Sequence, residues 1–343
     1  MITKIIPEEK IQQAKKWLDE AENIVIVSHS SPDGDAVGAS LGLYHFLHSI
    51  HKNVSVVLPD AFPDFLSWLS GSNDIFLYSD HRETANELLA AADLIFAVDF
   101  NTLSRINGMG NAVDKAPANK ILLDHHPFPG HFCQLIISHP EISSTCEMVF
   151  RLICRMGYFE TINLPCAEAI YTGMMTDTGA FTFNSNNAEI YIIISELIKK
   201  GIDKDEIYKK VYNNYSADRF RMMGFALSKK MRIYPEYKAA MISLTKEELG
   251  KFNCKKGDTE GLVNIPLSIK GIIFSAIFRE EKDALRVSFR SQGNFQVNKI
   301  AEEYFNGGGH ANAAGGESKV SMDETIKLFE SILPKYKEEL NNG

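Results

Sequence analysis

In the first half of the chain, acidic and imidazole side chains recur at one kind of place: just past a short apolar run. Ile24–Val27 leads into Ser28-His29-Ser30-Ser31-Pro32-Asp33-Gly34-Asp35, Leu94–Val98 into Asp99, and Ile121–Leu123 into Asp124-His125-His126. A fourth group, Thr176-Asp177-Thr178-Gly179, follows the stretch Pro165–Met175. Carboxylates and imidazoles gathered in a partly desolvated place need their charges balanced, and divalent cations do that most directly. The donors are oxygen and imidazole with no thiolate, which favours Mn²⁺ or Mg²⁺ over Zn²⁺ or Fe²⁺, and the histidines tip the choice to Mn²⁺. The candidate donors outnumber the places on one octahedral ion once water and substrate are bound, so two ions fit better. Taken singly, each piece has a plainer reading. Asp33-Gly34 is a common turn dipeptide, and an aspartate such as Asp99 can cap a helix. Their coincidence at successive element ends is what points to a metal centre.

The elements that must position these residues are readable from pattern. The runs Ile24–Val27, Val54–Leu58, Leu94–Val98 and Ile121–Leu123 are nearly continuous in apolar residues, as in strands buried on both faces of a parallel sheet. Helical stretches, for example Ala36–His51 and Glu83–Ala91, separate them. This βαβ rhythm predicts an α/β domain. In open sheets of that kind ligands bind beyond the carboxyl ends of the strands, so the acidic and imidazole groups should share one rim. A length of 343 residues suggests two domains. The expected division is a parallel-sheet domain over 1–190, a helical connector over 191–229 and a smaller α+β domain over 230–343. In the last, Lys238–Leu244, Ile272–Phe278 and Leu285–Phe289 read as strands, followed by a glycine-rich loop and one helix over Met322–Leu340.

The pattern His29-x-x-Pro32-Asp33-Gly34-Asp35-Ala36-x-Gly38, with Asp99, Asp124-His125-His126 and Asp177-Thr178-Gly179, resembles the motifs of the DHH phosphoesterase superfamily. Gly307-Gly308-Gly309-His310-Ala311-Asn312-Ala313-Ala314-Gly315-Gly316 is similar to the signature of its DHHA1 partner domain. The resemblance covers nearly the whole chain and is nearest to the stand-alone oligoribonuclease and 3′-phosphoadenosine 5′-phosphate phosphatase group. It implies two Mn²⁺ ions, with Mg²⁺ as the alternative. His29 and Asp33 would hold one ion, Asp35, His125 and Asp177 the other, and Asp99 would bridge them. It further implies that His126 faces the substrate phosphate with Asp124 behind the histidine pair. Arg290, Ser291, Gly308, Gly309 and His310 would bind the substrate, which lies in a cleft between the domains. Where the family commonly has Gly-Ser after the first motif, this chain has Gly38-Ala39, which puts only local helix packing in question. The implied reaction is two-metal phosphoester hydrolysis of short RNA or small nucleotides. Phosphodiesterase action on cyclic dinucleotides or their linear products is the alternative, and a non-catalytic nucleotide sensor is the reading from another class.

The remaining composition sets bounds. A net charge of −8 argues against coating long duplex nucleic acid. Residues 251–300 nevertheless carry nine Lys or Arg against five acids. The N-terminal stretch reads as a charged amphipathic helix without signal-peptide features, and no apolar stretch approaches a membrane span. Five cysteines with no CxxC pair read as free thiols in a reducing cytoplasm. A homodimer is compatible with all of this. His45, His48 and His51 recur at helical spacing, but with no acidic partner they read as surface or packing residues. Ser144-Thr145-Cys146-Glu147 reads as a helix capping box, with a phosphate contact from that helix end as the minor alternative.

Overall fold

The structure is a computed structural model that describes residues 3–255, 257–281 and 284–342; Lys256, Lys282 and Asp283 of the basic segment lie outside the described residues. The chain forms two compact units, Met1–Asn214 and Tyr215–Gly343.

The first unit is built on six strands: β1 (Asn23–Val27), β2 (Asn53–Leu58), β3 (Phe76–Leu77), β4 (Leu94–Val98), β5 (Asn119–Asp124) and β6 (Leu135–Ser138). All pair in parallel, in the order β3-β2-β1-β4-β5-β6. Side chains alternate between two cores. Ile24, Ile26, Phe96 and Leu123 face one, whereas Val25, Val27, Ile95 and Leu122 face the other. Two buried faces account for the continuous apolar runs. The two edge strands escape that pattern. β3 has only two residues, and β6 alternates buried and half-buried positions.

The first core is covered by α1 (Glu8–Glu20), α2 (Gly34–Ser49), and, further along the chain, by helices numbered after α3 (Arg82–Ala91) and α4 (Gly110–Lys115), which lie on the opposite face. These are α5 (Thr145–Arg155), α6 (Leu164–Asp177), α7 (Ala188–Lys199) and α8 (Lys204–Tyr212). The α2–α6 contact is close because glycines line it. A Cβ on Gly34 would fall 2.2 Å from Thr176 Oγ1, one on Gly38 2.6 Å from the Ala169 carbonyl, and one on Gly173 2.1 Å from Cys146 Sγ. Ala39, at the position of the family's usual serine, lies buried in the same core.

The second unit carries a mixed sheet of β7 (Met231–Tyr234), β8 (Ala239–Leu244), β9 (Phe274–Glu280), β10 (Leu285–Ser291), β11 (Gly308–His310) and β12 (Ala313–Ser318). The order is β11-β12-β10-β9-β8-β7, with only β8–β9 parallel. Phe274, Phe278, Phe289, Phe295, Phe305 and Phe329 make the core between this sheet and the helices Val297–Tyr304 and Met322–Ile332. Two expectations need correction. The glycine-rich segment is not a loop but the β11–β12 hairpin, with β12 inside the sheet. Glycine is a poor strand former, but here it permits close approach: a Cβ on Gly316 would meet the Phe305 carbonyl at 2.3 Å. The last helix is also not continuous. It stops at Ile332, turns as a 3₁₀ segment over Leu333–Tyr336 and resumes over Lys337–Asn342, because Pro334 lacks the N–H that an α-helix needs.

Among the described residues no helix is long and apolar enough to cross a membrane, and all five cysteines are free.

Candidate metal centre

The order of the first sheet reverses between β1 and β4, and the candidate ligands gather at the carboxyl ends of β1, β4 and β5. His29 follows β1, Asp99 follows β4, and Asp124 ends β5 with His125 and His126 next. Asp33 and Asp35 open α2, and Asp177 closes α6, which the glycine-lined contact brings alongside. His29 Nε2 lies 3.4 Å from Asp99 Oδ2 and 3.9 Å from Asp33 Oδ1. His125 Nε2 lies 3.6 Å from Asp99 Oδ1, 3.6 Å from Asp177 Oδ2 and 3.8 Å from Asp35 Oδ2. Two of the donor groups that result are His29-Asp33-Asp99 and Asp35-His125-Asp177, with donor atoms within 4.8 Å of one another in each, and Asp99-Asp124-His126 is a further one. The two oxygens of Asp99 face the two groups separately. His29, Asp35, Asp99 and His125 are buried, and Asp33 and Asp177 open the cluster to solvent.

Surrounding groups fix these side chains. The Asp33 carboxylate caps α2 by accepting from the backbone N–H groups of Asp35 and Ala36 at 3.0 and 3.1 Å. His29 Nδ1 is 2.9 Å from the Ser30 carbonyl; with Nδ1 as the donor, Nε2 is left to face the carboxylates. Ser28 donates to the Val98 carbonyl at 2.8 Å, and the Ser30 N–H to the Arg105 carbonyl at 2.8 Å, tying the β1 loop to β4 and its following segment. Asp124 Oδ1 is 2.8 Å from His126 Nδ1, which orients that ring, while the buried Asp124 Oδ2 has no hydrogen-bond partner among the described residues. Asp99 itself has φ +65°, a left-handed conformation uncommon for a side chain other than glycine.

The helix α5 enters this site in a way the sequence pattern did not disclose. Ser144 caps it, accepting from Glu147 N–H at 3.1 Å as expected. The other half of the capping box is absent. Glu147 instead accepts from the N–H and hydroxyl of Ser143 and pairs with Arg151. The first N–H groups of the helix, those of Thr145 and Cys146, donate to the two oxygens of Asp35 at 2.6 and 2.9 Å. Thr145 Oγ1 donates to Asp99 Oδ1 at 2.8 Å. The helix end therefore holds two site carboxylates rather than facing outward. His45, by contrast, bonds the Ser70 carbonyl and contacts the Tyr44 ring, and belongs to none of the donor groups among the described residues.

The electrostatics show a cluster short of positive charge. Burial opposes a charge on His29, yet Asp99 and Asp33 outweigh it and push the imidazole up to about 9. Burial likewise opposes a charge on His125, and Asp177, Asp99 and Asp35 push it up to about 9. Burial, then Asp99 and Asp177, drive Asp35 well above the usual carboxylate range. Burial raises Asp177 to about 6, with His125 opposing and Asp33 and Asp99 adding to the rise. Asp99 is held low despite its burial by His29, His126 and His125. A buried cluster of carboxylates and imidazoles with such opposed shifts calls for countercharge, which divalent cations supply most directly. The donor chemistry and the split face of Asp99 fit two divalent ions.

In the second unit, Arg290, Ala313 and His310 form one transverse row across β10, β12 and β11, and Ser288, Gly315 and Gly308 form a second two residues away. Residues paired in register and separated by two along a strand share a face. Arg290 and His310 therefore flank a strip of minimal side chains. Gly309 alternates to the other face, with φ +141°. Ser291 also alternates away from Arg290. It is buried, and its hydroxyl donates to the Phe295 carbonyl at 2.5 Å and accepts from Asn312 Nδ2 at 2.9 Å, so its hydrogen-bonding capacity is used in closing the 291–295 turn.

The model of the DHH family, N-terminal domain, matches residues 23–174, and that of the DHHA1 domain matches residues 237–335. The chain is 30% identical over 338 residues to the bifunctional oligoribonuclease and PAP phosphatase NrnA of Thermus thermophilus, covering 98% of this chain and 96% of that protein. An exopolyphosphatase-related protein from Bacteroides fragilis has a crystal structure that superposes with a TM-score of 0.96 at 58% identity, covering 99% of this chain and all of that one. RecJ of Thermus thermophilus, solved in complex with Mn²⁺, shares the fold at a TM-score of 0.55 and 14% identity, covering 98% of this chain and 55% of its own. The chain belongs to the DHH phosphoesterase family. It is a hydrolase.

Proposed function

We propose that the protein is a Mn²⁺-dependent phosphoesterase acting on short oligoribonucleotides and small nucleotide phosphates such as 3′-phosphoadenosine 5′-phosphate. The observation that carries this reading is the split coordination face of Asp99, with Oδ2 3.4 Å from His29 Nε2 and Oδ1 3.6 Å from His125 Nε2. In this reading His29 and Asp33 hold one ion, Asp35, His125 and Asp177 the other, and Asp99 serves both. When bound, such ions supply a nucleophile at neutral pH and offset charge developing on the phosphoryl oxygens. The chain's own residues do the rest. Asp124 locks the His126 ring so that its Nε2 faces away from the carboxylate and, when protonated, donates to a phosphate oxygen. Arg290 grips phosphate through its planar fork, with His310 across the strip of small residues and Gly308, on the same face, clearing space for the anion.

The relatives' names and their coverage support a substrate that carries both phosphate and nucleoside. The test is initial rates with Mn²⁺, and with chelator, on a ribodinucleotide, 3′-phosphoadenosine 5′-phosphate, a linear product of a cyclic dinucleotide and inorganic polyphosphate. Chelator-sensitive turnover of the first two is expected. Turnover of polyphosphate alone, or rates untouched by chelation, would overturn the reading.

A further inference from the structure

His126 is followed by Pro127-Phe128-Pro129-Gly130-His131-Phe132, and the two phenylalanines of this segment have opposite fates. Phe132 stacks on the fully buried Phe100, with centroids 5.5 Å apart and planes at 13°. Phe128 is 84% exposed, far more than any other large apolar side chain among the described residues. Its φ is +58°, a left-handed value for a bulky residue, and it stands between two prolines. A residue before proline is already sterically restricted. Neither apolar burial nor backbone relaxation favours phenylalanine here.

The conformation is nonetheless held on purpose. Asn101, two residues beyond Asp99, donates through Nδ2 to the Pro127 carbonyl at 2.7 Å, and its own carbonyl accepts from Gly130 N–H at 2.7 Å. One residue thus clamps the segment on both sides of Phe128. The clamp hangs from the β4 end that presents Asp99, and the segment begins at the ring oriented by Asp124. An aromatic ring presented to solvent on a strained, doubly tethered turn beside a phosphate-processing centre has the attributes of a stacking platform. Base–aromatic stacking tolerates any base, because every base has a π-face.

We propose that Phe128 is a nucleobase-stacking residue at the rim of the metal centre, so that the site selects base-bearing phosphates over base-free ones. The inference rests on the reading of the protein as a nucleotide hydrolase and adds the group that recognises the nucleoside.

Binding separates the two. Isothermal titration of the Mn²⁺-loaded protein with adenosine 5′-monophosphate and with ribose 5-phosphate should show tighter binding of the former by roughly 5- to 100-fold. Phe128→Ala should erase that preference by weakening only the adenosine ligand, and Phe128→Trp should keep it. Phe128→Gly, which relieves the left-handed strain, should lose the preference while its thermal midpoint stays level or rises. Equal binding of the two ligands by the wild type, or a preference that survives in both Phe128→Ala and Phe128→Gly, would overturn the proposal. Turnover of the ribodinucleotide by the wild type tests the hydrolase reading independently. Active protein with no base preference would sink the platform alone, and a base preference without turnover would sink the hydrolase reading alone.

Discussion

Thr145 holds Asp99 directly: its hydroxyl donates to Asp99 Oδ1 at 2.8 Å, while its backbone N–H donates to Asp35 Oδ2 at 2.6 Å. One residue at the start of a helix thus fixes a carboxylate from each donor group, without being a ligand itself. Groups that orient metal ligands typically matter 10- to 100-fold for affinity or activity. Thr145→Ala should therefore lower kcat/KM and Mn²⁺ affinity by roughly 10- to 100-fold, and Thr145→Ser should restore most of both. Mn²⁺ titration beside steady-state kinetics checks this. An alanine variant with native metal affinity would show that the hydrogen bond is incidental.

Asp99→Ala removes the carboxylate that faces both groups. Activity should fall by orders of magnitude and metal content should drop for both ions together, with the fold retained. Metal analysis of the purified variant decides the point: loss of only one equivalent would mean that Asp99 belongs to a single ion.

The pH dependence of stability should reverse on metal loading. His29 and His125, near 9 when folded and metal-free, lie above the ordinary imidazole value. Groups raised on folding stabilise fully below their unfolded pKa of about 6.5 and lose that contribution as pH rises through the folded value. Asp35 and Asp177, also raised, act in the same direction, Asp177 up to about pH 6. Metal binding needs neutral imidazoles and so strengthens over the same interval. The gap in thermal midpoint between Mn²⁺-loaded and chelated protein should widen steadily from pH 6.5 to 9. A constant or narrowing gap would mean that these histidines are not displaced protons' hosts.

Arg290→Ala and His310→Ala address the second unit. Both should retain Mn²⁺ stoichiometry yet lose kcat/KM by roughly 10- to 1000-fold, as expected for lost charge-assisted phosphate contacts. Ser291→Ala should act differently. Its hydroxyl bonds Phe295 and Asn312, so the expected effect is a lowered thermal midpoint with a smaller change in rate. Metal loss from Arg290→Ala would place that residue elsewhere in the mechanism.

How much of this was legible beforehand follows from which signals are local. The buried parallel strands announce themselves as apolar runs, and His29, Asp99, Asp124 and His125 follow those runs within two residues. The edge strand β3 has only two residues, and β6 offers only the short run Leu135–Ile137 with alternating burial. The β11–β12 hairpin was read as a loop because glycine-rich strands violate ordinary strand preference. What makes them strands is the nearby Phe305 backbone, which leaves no room for a Cβ. Pro334 is the local signal that ends the α-helix at Ile332 within an otherwise helical pattern. The parts of Thr145, Cys146 and Asn101 were invisible for another reason: their partners lie far along the chain and are reached through backbone atoms, which a residue type does not reveal.

The strands β1, β4 and β5, which carry the candidate ligands, are neighbours in the interior of the first sheet, paired on both edges and covered on both faces. Segments so placed open only in the rarest excursions of a folded chain. Amide protons of Ile26, Phe96 and Leu122 should therefore exchange with solvent only through global unfolding, while those of β3 and β6 exchange through local fraying. The donors at the ends of these strands inherit that stiffness. Their arrangement is thus set when the chain folds, and little reorganisation remains to be done when a cation or a phosphate arrives.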